Sequence, residues 1–179
     1  MRLIFFSQRC YKSGICFAYL LFITLFFSGC KVNYSMTGAS ISPDVTTFSV
    51  KYFPKTVALG PATLSQSFTE RLKSKFISQT SLTLVDREAD LSFEGTINGY
   101  VVQPLAIQAD ETAAQNRLTI TVAVKFINNK NEKQNFESSF SRYADFNSSQ
   151  SLTSVEDELI REISEQLVDD IFNKAVINW

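Results

Sequence analysis

The chain of 179 residues carries 17 basic and 18 acidic side chains, 16 phenylalanines, three cysteines and no histidine, for a formal net charge of -1. The missing imidazole removes the histidine triad and imidazole metal sites, and the near balance of charge offers no basic surface for nucleic acid. What remains is a chain that is 45% hydrophobic and long enough to bury a core without disulfides.

The chain opens with Arg2, Arg9 and Lys12, runs apolar from Gly14 to Phe27, and meets the small pair Ser28 and Gly29 just before Cys30. A positive start, an apolar run shorter than the roughly 20 residues that span a bilayer, and small residues before a cut form the layout of a signal peptide. A single membrane anchor with a buried cysteine is the other reading of the same run. The junction "FFSGC" resembles the lipobox of bacterial lipoproteins, with Phe27 where leucine is commoner. That resemblance implies removal of residues 1–29 as a lipoprotein signal peptide, a diacylglyceryl group on Cys30, and acylation of the new amino terminus. Cleavage would carry away Cys10, Cys16 and the three early basic residues, leaving 14 basic against 18 acidic residues and no free thiol. Each buried CH2 contributes about 0.8 kcal/mol and one acyl chain alone binds marginally, so a multiply acylated cysteine holds a domain durably at a membrane.

Residues 30–43 then read as an acylated tether, polar and small in character, and residues 44–179 as a single domain. Lys31 follows the cysteine and no acidic cluster comes after it. Early acidic residues accompany surface export in lipoproteins of the Bacteroidota, so this tether favours the periplasmic face.

Within the domain, "VTTFSVKYF" (Val45 to Phe53) reads as a first strand stopped by Pro54. A helix follows in "GPATLSQSFTERLKSKF", with Thr63 and Gln66 as its capping pair and Leu64, Phe68, Leu72 and Phe76 as its apolar stripe. Lys73 and Lys75 suit its carboxyl end. "SLTLV" (Ser81 to Val85) is a short strand, and Asp86 to Asp90 the turn after it.

From Leu91 to Val101 the residues alternate, placing Leu91, Phe93, Gly95, Ile97, Gly99 and Val101 on the apolar face. Gly95 and Gly99 there predict a large neighbour or a bulge. A loop or short strand extension leads past Pro104 to the clearest alternation, in which Leu118, Ile120, Val122, Val124 and Phe126 face inward opposite Arg117, Thr119, Thr121, Ala123 and Lys125. "NNKNEK" is turn chemistry, and Phe136 to Tyr143 returns as a strand. A last helix is capped by Ser154 with Asp157 and carries the stripe Val155, Leu159, Ile163, Leu167, Ile171 and Ala175, widened by Ile160, Val168 and Phe172. Arg161 with Glu165 and Asp170 with Lys174 stand four apart on it. These elements predict an α+β two-layer sandwich, two amphipathic helices on one face of a mostly antiparallel sheet of four to five strands.

No nucleophile elbow, calcium loop or cofactor motif is present, so any chemistry would fall to carboxylates. Asp86, Glu88, Asp90, Asp110, Glu111, Asp169 and Asp170 are the candidates, and each reads as a solvated turn or polar helix face. For binding, the candidate set is Arg117, Lys125 and Arg142 on a polar sheet face, with Lys51 as a further cation and Tyr143 and Phe146 as aromatic neighbours in "FSRYADF". Scattered exposed charges and an aromatic strand under a helix are the plainer readings of the same residues. Trp179 is expected to dock on its own domain.

The segments "YSMTGASISPDVTTFSVKYFP", "LSQSFTERLKSKF", "LSFEGTINGY", "NRLTITVAVKF", "FSRYADF" and "TSVEDELIREISEQLVDDIFNKAVINW" resemble text of the LptE family of lipopolysaccharide-assembly lipoproteins, in its Bacteroidota branch. The resemblance implies a non-enzymatic outer-membrane lipoprotein that plugs and helps assemble a large β-barrel, the LptD translocon, during lipopolysaccharide export. It implies an LptD-like partner, lipopolysaccharide as a further ligand, membrane attachment through the N-terminal lipid, and no cofactor. An adaptor of another envelope complex and a periplasmic lipid carrier stay open beside it. A carrier needs an apolar cavity between its layers, whereas a plug needs a filled core.

Overall fold

The computed structural model describes residues 41–105 and 114–176. The leader, Cys30, the tether up to residue 40, Asp110, Glu111 and Trp179 lie outside the described residues.

Strand β1 (Thr47–Val50) leads through helix α1 (Leu64–Gln79) to β2 (Thr83–Leu84). Strands β3 (Leu91–Pro104), β4 (Gln115–Asn128) and β5 (Phe136–Asn147) follow as a meander, and helix α2 (Leu152–Val176) closes the order. The sheet runs β2-β1-β3-β4-β5, with β1 parallel to both β2 and β3 and the other pairs antiparallel. Both helices lie on one face, so the α+β two-layer sandwich is the observed fold.

The core is aromatic. Phe76 of α1 stands between Phe48 of β1, Phe93 of β3 and Phe172 of α2, at centroid distances of 5.4, 4.7 and 5.0 Å. Phe126 continues the chain to Phe93 at 4.9 Å and to Phe136 at 5.1 Å. Burying each such ring contributes about 1.5–3 kcal/mol, and tilted pairs at these distances add to that. Leu64, Phe68, Leu72 and Phe76 are all buried, as are Leu159, Ile163, Leu167, Ile171 and Ala175, so both stripes face the sheet as their four-residue spacing requires. The helices are also joined by Arg71 to Glu165 at 3.0 Å and Lys75 to Asp169 at 2.7 Å.

Both helix starts differ from the sequence expectation. Thr63 holds helical backbone angles and makes no side-chain cap, and the Ser67 amide bonds its carbonyl instead. Helix α2 begins two residues before Ser154, whose hydroxyl bonds back to the Ser151 carbonyl, so Ser154 with Asp157 is no capping box. Nor do Lys73 and Lys75 reach the last turn of α1; they pair with Glu70 and Asp169. Asp170 turns to Arg142 rather than to Lys174.

Strand β1 is shorter than Val45 to Phe53, because Phe53 turns inward and bulges the chain. Beyond it the parallel pairing resumes, with the Ile97 amide on the Pro54 carbonyl and the Thr56 amide on the Ile97 carbonyl, each 2.9 Å. The Phe53 amide, turned out of the ladder, donates to the buried Thr69 hydroxyl of α1 at 3.2 Å. Gly95 makes room for this turn: a Cβ there would sit 2.4 Å from the Phe53 ring and 2.2 Å from the Ala123 carbonyl oxygen. Both glycine expectations hold, since the register of β3 on β4 shifts between Ile97 and Gly99. The extra residue, Asn98, reverses the alternation, burying Tyr100 at 4% exposure and leaving Val101 at 49%. Tyr100 then donates to Glu156 of α2, and burial together with that partner holds its phenol well above the usual range.

At the opposite end of the sheet, Asp90 ties three strands together. Its Oδ2 accepts from the Thr46 and Thr47 amides at 2.8 and 3.0 Å and from both hydroxyls, while Oδ1 meets Lys130 at 3.1 Å. The Thr46 amide, with Lys130 and Thr47 adding to it, holds this carboxyl far below the usual carboxylate range. Asp90 is thus structural, where the sequence reading expects a solvated turn.

Candidate functional site: the open face of the sheet

No described element covers the sheet face away from the helices, and its side chains follow from register. Counting across the strands, Ser49 lies beside Ser92, Thr96 beside Ala123 and Ser139, and Gly99 beside Thr121 and Ser141. Hydroxyls bond one another along these rows, Ser49 to Ser92 and Thr121 to Ser141, each at 3.0 Å. Toward the end of the β3–β4 hairpin come Val101, Thr119 and Tyr143, then Gln103, Arg117 and Asp145.

Two cations of this face are paired within it, Lys51 with Glu94 at 2.7 Å and Arg117 with Asp145. Lys125 stands opposite Glu94 and Glu137 in register but makes no ion pair among the described residues, so signs alternate from Lys51, just past β1, across β3, β4 and β5. Arg117 grips Asp145 with two bonds of 2.7 and 2.8 Å, and its guanidinium lies 3.6 Å from the centre of the Tyr143 ring. The Asp145 hydrogen bond raises Arg117 and the same bond lowers Asp145, so both stay charged.

Register divides the candidate residues. Arg117, Lys125 and Tyr143 share the open face. Arg142 stands opposite Ile120 and therefore on the helix face, where it holds Asp170 with bonds of 2.5 and 2.6 Å. Phe146, opposite Asn116, is buried at 7% exposure in the core. One cluster of three cations is therefore not assembled. The acidic partners Glu94, Glu137 and Asp145 were missed from the sequence, although a hairpin centred on Asn131 pairs Arg117 with Asp145 and Lys125 with Glu137.

Among the described residues no group of three or more acidic, Cys or His side chains is placed to hold a metal. No helix of the described residues is long and apolar enough to cross a membrane. The face is hydroxyl-rich and nearly neutral. Arg117 could hold an anion there only on leaving Asp145, whereas the exposed Lys125 makes no ion pair among the described residues.

The family model LptE, described as lipopolysaccharide-assembly, matches residues 45–175. No curated protein matches the chain. Among solved structures, a minor lipoprotein from Acinetobacter baumannii is similar at 12% identity and a TM-score of 0.50, over 73% of this chain and 91% of that one. Lipoprotein B from Nitrosomonas europaea is similar at 14% identity and a TM-score of 0.47, over 80% and 87%. The rare lipoprotein B from Shewanella oneidensis follows at 9% and 0.46, over 70% and 89%. At these identities the first likeness speaks for the fold alone.

Proposed function

The chain belongs to the LptE lipopolysaccharide-assembly family, and on that premise we propose that it acts as plug and assembly partner of an LptD-like outer-membrane β-barrel. The protein works by shape and hydrogen bonding and makes or breaks no bond. In this reading it belongs to the Bacteroidota-type branch, is anchored through acylated Cys30 after loss of residues 1–29, and faces the periplasm from the outer membrane. Residues 44–179 are its working domain.

The observation that carries the reading is the family match across residues 45–175. The open face is compatible with it: hydroxyls and the Lys51–Glu94 and Arg117–Asp145 pairs can meet a polar lumen wall, and Lys125 would need an acidic or hydrogen-bonding group on that wall. Arg117, Lys125 and Tyr143 are its barrel-facing contacts, with lipopolysaccharide phosphates as secondary partners, met by Lys125 directly and by Arg117 only when it leaves Asp145. Arg142 and Phe146 serve the domain itself. A lipid carrier is disfavoured by the space between the layers, where Phe76, Phe93, Phe126, Ile163, Leu167 and Ile171 are at most 1% exposed and the rings touch.

Crosslinking in the native outer membrane followed by mild-detergent purification tests the reading. A large β-barrel recovered in roughly equal amount supports it, whereas the chain alone or with soluble partners only overturns it in favour of an adaptor. Cys30→Ala is expected to leave unprocessed, unanchored protein; normal acylation and fractionation of that variant would remove the lipoprotein assignment.

A further inference from the structure

The sheet ends differently on its two sides. One side is β2, only two residues long; the other is β5, running from Phe136 to Asn147 with no strand beyond it among the described residues. Edges are ordinarily blunted by shortness, proline, bulges or charge. Strand β2 is blunted by shortness, but β5 has neither proline nor glycine, pairs with β4 without a register shift, and carries only Glu137, Arg142 and Asp145 as charges, the last two held by Asp170 and Arg117.

The direction of its backbone groups follows from one bond. The Ser148 amide donates to the Ala114 carbonyl at 3.0 Å, which sets the phase of the antiparallel ladder. Bonded and non-bonded pairs alternate along such a ladder, so the even-numbered residues from Phe136 to Phe146 direct amide and carbonyl toward β4. Glu137, Ser139, Ser141, Tyr143 and Asp145 direct theirs away from the sheet.

Beside this edge lies a cleft under the C-terminal half of α2, lined by Lys133, Phe136, Phe140, Asp170, Asn173 and Lys174 among others. The Lys174 ammonium stands 4.8 Å from the Phe136 centroid and 5.8 Å from that of Phe140, and donates to the Ser138 hydroxyl at 2.7 Å. Asp170, the acid of the cleft, is engaged by Arg142. The cleft is therefore aromatic and basic. A second copy pairing through its own β5 would bring no acid to the cleft, because the helix-facing residues of that strand are Phe136, Ser138, Phe140, Arg142, Ala144 and Phe146. An incoming strand with acidic side chains toward α2 would instead meet opposite charge.

We propose that the free edge of β5, with the cleft holding Lys133 and Lys174, receives an extended strand of a partner protein whose α2-facing side is acidic. Backbone bonds would supply affinity, and alternate side chains in the cleft would supply selectivity. The inference stands apart from the barrel reading, because the bonding partner is a strand of any envelope protein and the surface is an edge rather than the open face.

Residue-resolved hydrogen exchange tests it, on the full chain purified alone and on the full chain in the complex retained from its native membrane in mild detergent. Alone, the amides of Ser139, Ser141 and Tyr143 exchange freely while their even-numbered neighbours are protected; in the complex the odd-numbered amides slow as well. Prolines at outward-facing edge positions leave the internal ladder intact, so Ser139→Pro with Ser141→Pro keeps the even-numbered protection. Relative to Ser139→Ala with Ser141→Ala, which removes the same hydroxyls but keeps the amides, that variant weakens the complex by up to about tenfold for each bond removed. Lys174→Glu, a change at an exposed side chain, weakens it while leaving the outward amides of the edge in place. Odd-numbered amides equally open in the complex, or a complex that survives both prolines undiminished, would overturn the proposal. So would concentration-dependent protection in the chain alone, which would give the edge to a second copy.

Discussion

The two faces of one sheet are built on opposite terms. Toward the helices, Phe48, Phe93, Ile97, Leu118, Val122 and Phe126 are buried, and stability comes from excluded water and ring contacts. Toward the open side, Ser92, Thr96, Thr121, Ser139 and Ser141 alternate with charges of balanced sign, two pairs of them in contact, a surface that solvent satisfies. The difference teaches that β4 serves both purposes at once: every second residue holds the fold while the residues between them remain available to a partner.

The strongest way to break this comparison is to charge the covered face. Leu167 is completely buried, and Leu167→Asp is expected to cost more than about 4 kcal/mol and abolish cooperative unfolding. A small shift of the thermal midpoint would mean that α2 does not close the core. Gly95→Ala comes next, at about 1–3 kcal/mol, because the added carbon meets both the Ala123 carbonyl and the Phe53 ring; an unchanged denaturation midpoint would show that the close approach of those groups is not real.

At the rim where the strands meet, Asp90 is held at a depressed pKa by the Thr46 amide, Thr47 and Lys130. Its contribution is present above its unfolded value of about 3.9 and is lost as pH falls toward its folded value. Stability should therefore decline progressively below about pH 5, and Asp90→Asn should flatten that limb of the profile. Ser164 sharpens the covered side from the other direction. It is fully buried in α2 and its hydroxyl has no hydrogen-bond partner among the described residues, so Ser164→Ala is expected to be neutral or stabilising by about 1 kcal/mol in denaturant unfolding. Smallest is Thr121→Ala on the open face, within about 0.5 kcal/mol in the same unfolding assay. A larger loss there would mean that the Thr121–Ser141 pair supports the fold rather than a contact surface.

Much of the architecture was legible. The four-residue stripes of both helices and the two-residue alternation of β4 state which side chains are buried, because each pattern depends only on local backbone geometry. The glycines at 95 and 99 announced a close approach and a bulge. The caps at Thr63 and Ser154 misled, since serine and threonine bond neighbouring carbonyls as readily as they cap, and here the hydroxyl of Ser154 bonds Ser151 inside a helix that starts earlier.

By itself, the sequence determined the kinds of element, their order and the buried stripes, all of which arise from spacings of two to four residues. Only the tertiary structure decided that β1 runs parallel beside β3, that Asn98 turns Tyr100 inward, that Arg142 faces α2 while Arg117 faces outward, and that β5 ends the sheet. Those outcomes rest on pairings between residues far apart in the chain, where a slip of one position sends every side chain of a strand to the other face.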